Sequence, residues 1–308
     1  MNKLVVSPSP HDENYTKTSD IMRDVLIALT PALAAATYIF GIRALLLTVV
    51  CIAGCIATEY ICRRLMKRPN TIGDLSAAVT GMILAFNLPV TLPLPIVLLG
   101  SFIAIAVVKQ LFGGLGQNFA NPAITARIVL MVSFPAQMTR WALPFYYNEP
   151  SDVMTGPTPL VTRSATYINL LLGKTTGCLG ETCAAALMLG GLYLIIRRVI
   201  SPAAPLSFIG VLAALSAIAG EDPLYQILAG GVMLGAFFMA TDYATTPVTT
   251  KGKLIFGAGC GIITFVIRNY GSYPEGVSFS ILLMNILTPF IEQLTRSRVF
   301  GAKEAADR

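Results

Sequence analysis

Charge is scarce in this chain. Acidic and basic residues make up 12% of its 308 positions against 55% hydrophobic residues, a balance that excludes an ordinary soluble domain and fits repeated passage through a bilayer. Histidine is scarcer still. His11 is the only one, which excludes a bis-histidine haem held by this chain alone. The six cysteines form no iron–sulfur spacing, and no glycine fingerprint of a dinucleotide fold is present, so neither a cluster nor bound NAD is legible. Cys51, Cys55, Cys62 and Cys260 lie in or beside apolar runs, where cysteine behaves as a small hydrophobe. Cys178 and Cys183 leave a disulfide or a metal pair open, with inert packing as the simpler reading. The polar opening segment lacks an apolar core with a small-residue cleavage site, so no removable signal peptide is expected.

What is present is ten apolar stretches, at 25–40, 44–61, 75–88, 92–108, 122–134, 182–196, 203–219, 224–240, 254–267 and 277–291. Several fall short of the roughly 20 residues of a full span, as broken helices buried in protein do. The net charge of +6 does not point to nucleic acid, because the basic residues sort by side. With the amino terminus inside, sixteen Lys and Arg fall in inner segments and five (Arg43, Arg140, Arg163, Lys174, Arg268) in outer ones, while Arg127 lies within a stretch. This bias predicts cytoplasmic termini and an external 142–180 segment. The expected organisation is a cytoplasmic tail 1–23, a first five-helix unit 24–135, an external loop 136–181, a second five-helix unit 182–294 and a cytoplasmic tail 295–308.

The two halves echo each other. Gly81-Met-Ile-Leu-Ala-Phe86 is similar to Gly231-Val-Met-Leu-Gly-Ala236, each precedes a Pro/Thr-rich interruption, and Phe112-Gly113 matches Tyr270-Gly271. Five crossings per unit turn the second copy upside down, so the expected fold is all-α, integral to the membrane, with about ten helices in two inverted repeats. Interrupted segments at matching places in the halves point to a binding site, where unwound backbone offers its dipoles. Asp242, with Thr241 and Thr245, falls in the second interruption and is a candidate for an ion or cofactor site, since an ionised carboxylate in a membrane costs roughly 2.5 to 3.5 kcal/mol. The competing reading caps the next turn with Asp242 and pairs it with Lys251 or Lys253. Gly113-Gly-Leu-Gly116 lacks the strand and lysine of a phosphate cradle and reads as a tight turn. Asn121-Pro-Ala123 occurs once, whereas a water channel of the aquaporin kind needs two facing copies.

Several runs together resemble one family: Ser7-Pro-Ser-Pro-His11, Met22-Arg-Asp-Val-Leu-Ile-Ala-Leu-Thr-Pro31, Gly113-Gly-Leu-Gly-Gln-Asn118 with Asn121-Pro-Ala123, Met239-Ala-Thr-Asp242, and Arg268-Asn-Tyr-Gly-Ser-Tyr-Pro-Glu-Gly276. Their order over about residues 7 to 295 is similar to the D-type membrane subunits of Rnf ion-translocating ferredoxin:NAD oxidoreductases, related to the B-type membrane subunits of the sodium-pumping NADH:quinone reductase. The resemblance implies a prokaryotic cell-membrane subunit of a six-subunit complex that couples electron flow to Na+ or H+ movement and is inactive alone. It also implies FMN esterified to Thr158 by a flavin transferase, through the pattern Asp152, Thr155, Gly156, and a second, noncovalent flavin resembling riboflavin. Pro157 stands where the family usually has Ala. Proline fixes φ and removes a donor, but an extended backbone and an accessible Thr158 are still expected. Ser164-Ala-Thr166 is a weaker alternative, lacking the Asp six residues before its Thr. A non-redox channel or secondary transporter fits the repeats equally well; the flavin motif separates the two.

Overall fold

The computed structural model describes residues 17–148, 155–271 and 275–296. Among them regular structure is helical, with one isolated antiparallel bridge between Ala142 and Thr155. Each apolar stretch of the sequence contains a helix. We number these α1 (Thr18–Phe40), α2 (Ile42–Leu65), α3 (Ser76–Phe86), α4 (Leu94–Phe102, running on as a π-helix over Ile103–Gln110), α5 (Pro122–Ser133), α6 (Ala184–Ile196), α7 (Ala203–Ile218), α8 (Val232–Leu234, running on as a π-helix over Gly235–Met239), α9 (Thr250–Tyr270) and α10 (Val277–Thr295). Four of them, α1, α2, α9 and α10, are long and apolar enough to cross a membrane.

The boundaries differ from the hydropathy pattern for physical reasons. α1 starts at Thr18 and not at 25, because its polar first turn is still a good helix start, with Asp20 pairing to Arg23 at 3.3 Å. Hydropathy marks where oil begins, which is later than where the helix begins. The stretch 224–240 departs most. Ala229 is extended and Gly230 takes a φ of 69°, so the run splits into a short helix Pro223–Leu228 and α8.

Small residues let helices approach closely, as packing within lipid favours. A Cβ on Gly81 of α3 would lie 2.7 Å from Ile52 Cα of α2. On α9, Gly257 and Gly261 sit one turn apart, and Cβ atoms there would lie 2.4 and 2.9 Å from the Ala204 and Phe208 carbonyls of α7. α1 and α6 meet in the same way at Gly190.

α3 is 11 residues long, about 16 Å at 1.5 Å per residue, or roughly half of a 30 Å hydrocarbon core. α8 with its π-helical continuation is shorter still. These two broken helices end side by side, with Asn87 Nδ2 3.9 Å from Met239 Sδ. Beyond each end the chain unwinds, and there the polar interior is built.

Candidate functional site

The segment that carries the flavin pattern is held against the helices. Gly156 donates its N–H to the Trp141 carbonyl at 3.1 Å beside the Ala142–Thr155 bridge. Thr176 Oγ1 donates to the Pro157 carbonyl at 2.5 Å, and Tyr225 Oη to the Pro159 carbonyl at 2.8 Å. Pro157 leaves Thr158 extended, at φ −69° and ψ 155°. Accessibility differs from expectation: Thr158 is only 3% exposed. Its Oγ1 is buried and has no hydrogen-bond partner among the described residues. Burying a hydroxyl without a partner costs about 1–3 kcal/mol, so this position carries a polar group that the fold leaves unused. Beside it lies an open surface recess of about 400 Å³ bordered by Arg140, Trp141, Thr155, Gly156 and Thr158. Asp152 lies outside the described residues.

Deeper in, Arg127 organises a cluster of charges. α5 is started by Asn121, whose Oδ1 accepts from Ala123 N at 3.1 Å, with Pro122 in the first turn. Arg127 follows on the buried face, its Nη1 donating to Asn87 Oδ1 at 2.7 Å. Its Nη2 pairs with Glu181 Oε1 at 3.2 Å and with Glu275 Oε2, and lies 3.5 Å from Cys178 Sγ. The thiol and the two carboxylates lie within 4.8 Å of one another, in the manner of metal ligands, but the guanidinium is already the cation among them. Cys178 and Cys183 are both free thiols; Cys183 Sγ donates to the Leu171 carbonyl.

Hydropathy alone leaves Arg127 inside a stretch without a partner. An arginine in an apolar run needs carboxylates, and that signal is in the sequence. Glu181 and Glu275 come from distant segments, so only the fold names them.

The third site lies between the end of α8, the starts of α1 and α5 and the second half of α10. Asp242 Oδ2 accepts from Thr245 Oγ1 at 3.1 Å and Oδ1 from Ala244 N at 3.5 Å, so it caps its own turn. Among the described residues it forms no ion pair with Lys251 or Lys253. Thr241 Oγ1 donates back to the Phe237 carbonyl at 2.7 Å, and Thr245 is buried, its carbonyl accepting from Thr288 Oγ1 at 2.9 Å. Asp242 borders two adjoining spaces: a cavity of about 680 Å³ and a recess of about 100 Å³. Asn118 stands in the wall of both and Asn121 in that of the recess. The Gly113–Gly116 run is the turn its composition suggests. Gly114 has a φ of 109°, and a Cβ there would lie 2.3 Å from Arg63 Nη2.

Broken apolar helices around buried charges and a polar-ended cavity define a helical membrane protein of the kind used for carriers and for membrane-embedded redox subunits. The chain belongs to the NQR2, RnfD, RnfE family, whose model matches residues 5–301. The D-type subunit of the Na+-translocating ferredoxin:NAD+ oxidoreductase complex of Acetobacterium woodii is 49% identical over 97% of this chain and 95% of that one. The D-type subunit of the proton-translocating ferredoxin:NAD+ oxidoreductase complex of Clostridium ljungdahlii is 41% identical over 98% and 97%. Its counterpart in the ion-translocating oxidoreductase complex of Halorhodospira halophila is 38% identical over 98% and 96%.

Proposed function

We propose that this chain is the flavin-bearing membrane subunit of an Rnf-type complex, carrying FMN on Thr158 and taking part in electron transfer from ferredoxin to NAD coupled to Na+ or H+ translocation. The observation that carries the flavin assignment is the buried, unpartnered hydroxyl of Thr158, a residue that borders an open surface recess three residues after Thr155. The residues present fit the group. Arg140 offers a positive charge to a phosphodiester, Trp141 an aromatic wall, and Gly156 and Pro157 an extended approach. The flavin supplies reversible electron carriage; a covalent link keeps it in place as its charge changes. A flavin transferase attaches it, with Asp152, Thr155 and Gly156 as the recognition pattern. The reaction belongs to the assembled complex, whose other subunits supply the clusters and the dinucleotide site.

The reading places about ten helices in two inverted five-helix repeats, with cytoplasmic termini and the Thr158 segment outside. Two sets of contacts support it. In the register that matches Gly81 to Gly231, Ser76 falls opposite Gln226. In the one that matches Phe112-Gly113 to Tyr270-Gly271, Gln110 falls opposite Arg268. In the first half, Lys109 beside Gln110 donates to Ser76 Oγ at 2.6 Å. In the second, Arg268 donates to Gln226 Oε1 at 2.9 Å. In each half the end of the fourth helix is thus fastened near the start of the third apolar stretch, as two copies of one unit would be; the inversion itself rests on the odd number of crossings per unit.

Asp242, with Thr241 and Thr245, is assigned to the coupling-ion site or to a second flavin resembling riboflavin. A carboxylate beside threonine hydroxyls and the amides of Asn118 and Asn121 suits a monovalent cation or a proton, and the adjoining cavity has the size of a small-molecule site. The deciding experiment is the intact mass of the purified chain followed by peptide mapping. An added FMN phosphoryl group on the peptide containing Thr158 supports the reading. An unmodified mass in cells that make the complex and its transferase overturns it.

A further inference from the structure

Lys109 stands at the π-helical end of α4 and is 2% exposed. Its ammonium donates to Glu59 Oε2 at 3.0 Å and to Ser76 Oγ at 2.6 Å. An ammonium has three N–H donors, and the third has no protein partner among the described residues. Lys109 also borders the recess next to Asp242, where among the described residues it is the one cation of the wall and Asp242 the one carboxylate. The rest of the wall combines the apolar Phe237, Phe238, Val79 and Ile83 with the polar Thr80, Asn118 and Asn121. The surrounding polar groups hold the lysine in this position. Glu59 Oε1 accepts from Thr71 Oγ1 at 2.9 Å and from Gln110 Nε2 at 2.8 Å, and Ser76 Oγ donates to Asp74 Oδ1 at 2.5 Å. Glu59 is wholly buried. A lysine needed only for packing could be replaced by an apolar side chain without this network, since buried ion pairs add little net stability.

We propose that Lys109 is a cofactor-contacting residue that binds the electron-accepting edge of a planar heteroaromatic ring in this cavity and favours the ring's reduction, with Glu59 as its positioning counter-ion. The proposal rests on the reading of the Asp242 cavity as a second flavin site. The larger space takes the body of a tricyclic ring and the recess takes its polar edge. Reduction adds one negative charge for each electron until a proton follows. In a site of low dielectric, an ammonium with an uncommitted N–H offsets that charge strongly. Lys109 therefore favours the reduced ring more than the oxidised one. Glu59 holds the lysine and moderates its field.

The test uses the full chain with Thr158→Ala, which removes the covalent flavin, purified in detergent and given riboflavin as the probe. The bound riboflavin is reduced stepwise with dithionite and followed by absorbance. Lys109→Met should lower the one-electron reduction equilibrium constant at least tenfold, 59 mV, while changing affinity for oxidised riboflavin far less. Lys109→Arg should restore most of the shift. Glu59→Gln should move the equilibrium the opposite way, because it removes the negative charge beside the ammonium. A purely structural role gives the two variants shifts of the same sign or none, and either result overturns the proposal. If Lys109→Met does not fold, the sign of the Glu59→Gln shift decides. Failure of the parent chain to bind riboflavin overturns the second-flavin reading and this proposal with it, whereas binding with unshifted equilibria overturns this proposal alone.

Discussion

Arg127 of α5 and Glu275 at the head of α10 form a buried ion pair across the interior of the molecule, and Glu181 shares the same guanidinium nitrogen. Asn87, where α3 ends, binds the other nitrogen. One side chain therefore joins four segments at the place where the broken helices meet. Removing it takes from two buried carboxylates the cation with which both are paired. We expect Arg127→Met to destabilise the purified protein by about 3 to 5 kcal/mol, read as a drop in the thermal unfolding midpoint. The double variant Arg127→Met, Glu275→Gln should recover part of it. Wild-type stability in the single variant would show that the cluster does not hold the fold.

The helices are legible in the sequence because most apolar stretches are bounded by Pro, Gly or charge, and because the similar runs beginning at Gly81 and Gly231 precede matching interruptions. The partners inside are not. Arg127 reads as an anomaly, while Glu181 and Glu275 read as ordinary polar loop residues; their meeting depends on tertiary structure alone. Lys109 likewise reads as one more cytoplasmic basic residue. Hydropathy sees a charge at a helix end and not that Glu59 and Ser76 have buried it. Thr158 stands out through its neighbours in sequence, yet its burial depends on Thr176 and Tyr225 fixing the carbonyls on either side of it.

Trp141 and Thr158 border one open surface recess, and the chain has a single tryptophan. A flavin on Thr158 should quench Trp141 emission through its absorbance overlap. Thr158→Ala should abolish flavin fluorescence in a denaturing gel and restore the tryptophan emission of the folded chain. Fluorescence retained on the gel would falsify Thr158 and direct attention to Thr166.

The Thr158 segment is tethered at its far end by Tyr167, whose hydroxyl donates to Asp222. That bond holds the Asp222 carboxyl below the usual carboxylate range, helped by the Tyr225 N–H. A group with a lowered folded pKa stabilises fully above its unfolded value, about 3.9, and loses the contribution as pH falls through the folded value. Limited proteolysis of the 155–172 segment should therefore stay slow down to about that pH and accelerate below it. Asp222→Asn should speed cleavage already at neutral pH. Equal rates in both proteins at all pH values would remove Asp222 from the tether.

The inverted arrangement makes a topological prediction. Reporter fusions after Lys174 and at Arg308 should report opposite sides of the membrane, with Lys174 outside, as the distribution of basic residues requires. Reporters on the same side would exclude an odd number of crossings in the second half, and with it the two five-helix repeats.

Asp242 makes no ion pair with the lysines that follow it; it faces a cavity bordered by Asn118 and Asn121 and shares a hydrogen bond with Thr245. Asp242→Asn keeps the size of the side chain and an oxygen for the Thr245 hydroxyl, so the fold and flavin attachment at Thr158 should survive. What it removes is the negative charge that a coupling cation or proton needs. In vesicles carrying the assembled complex, the variant should retain flavin on Thr158 and lose most ion transport per electron transferred. Equal transport at equal electron flux would limit Asp242 to capping its own turn. Loss of assembly would instead mean that the charge, and not the side chain's shape, holds the turn between α8 and α9.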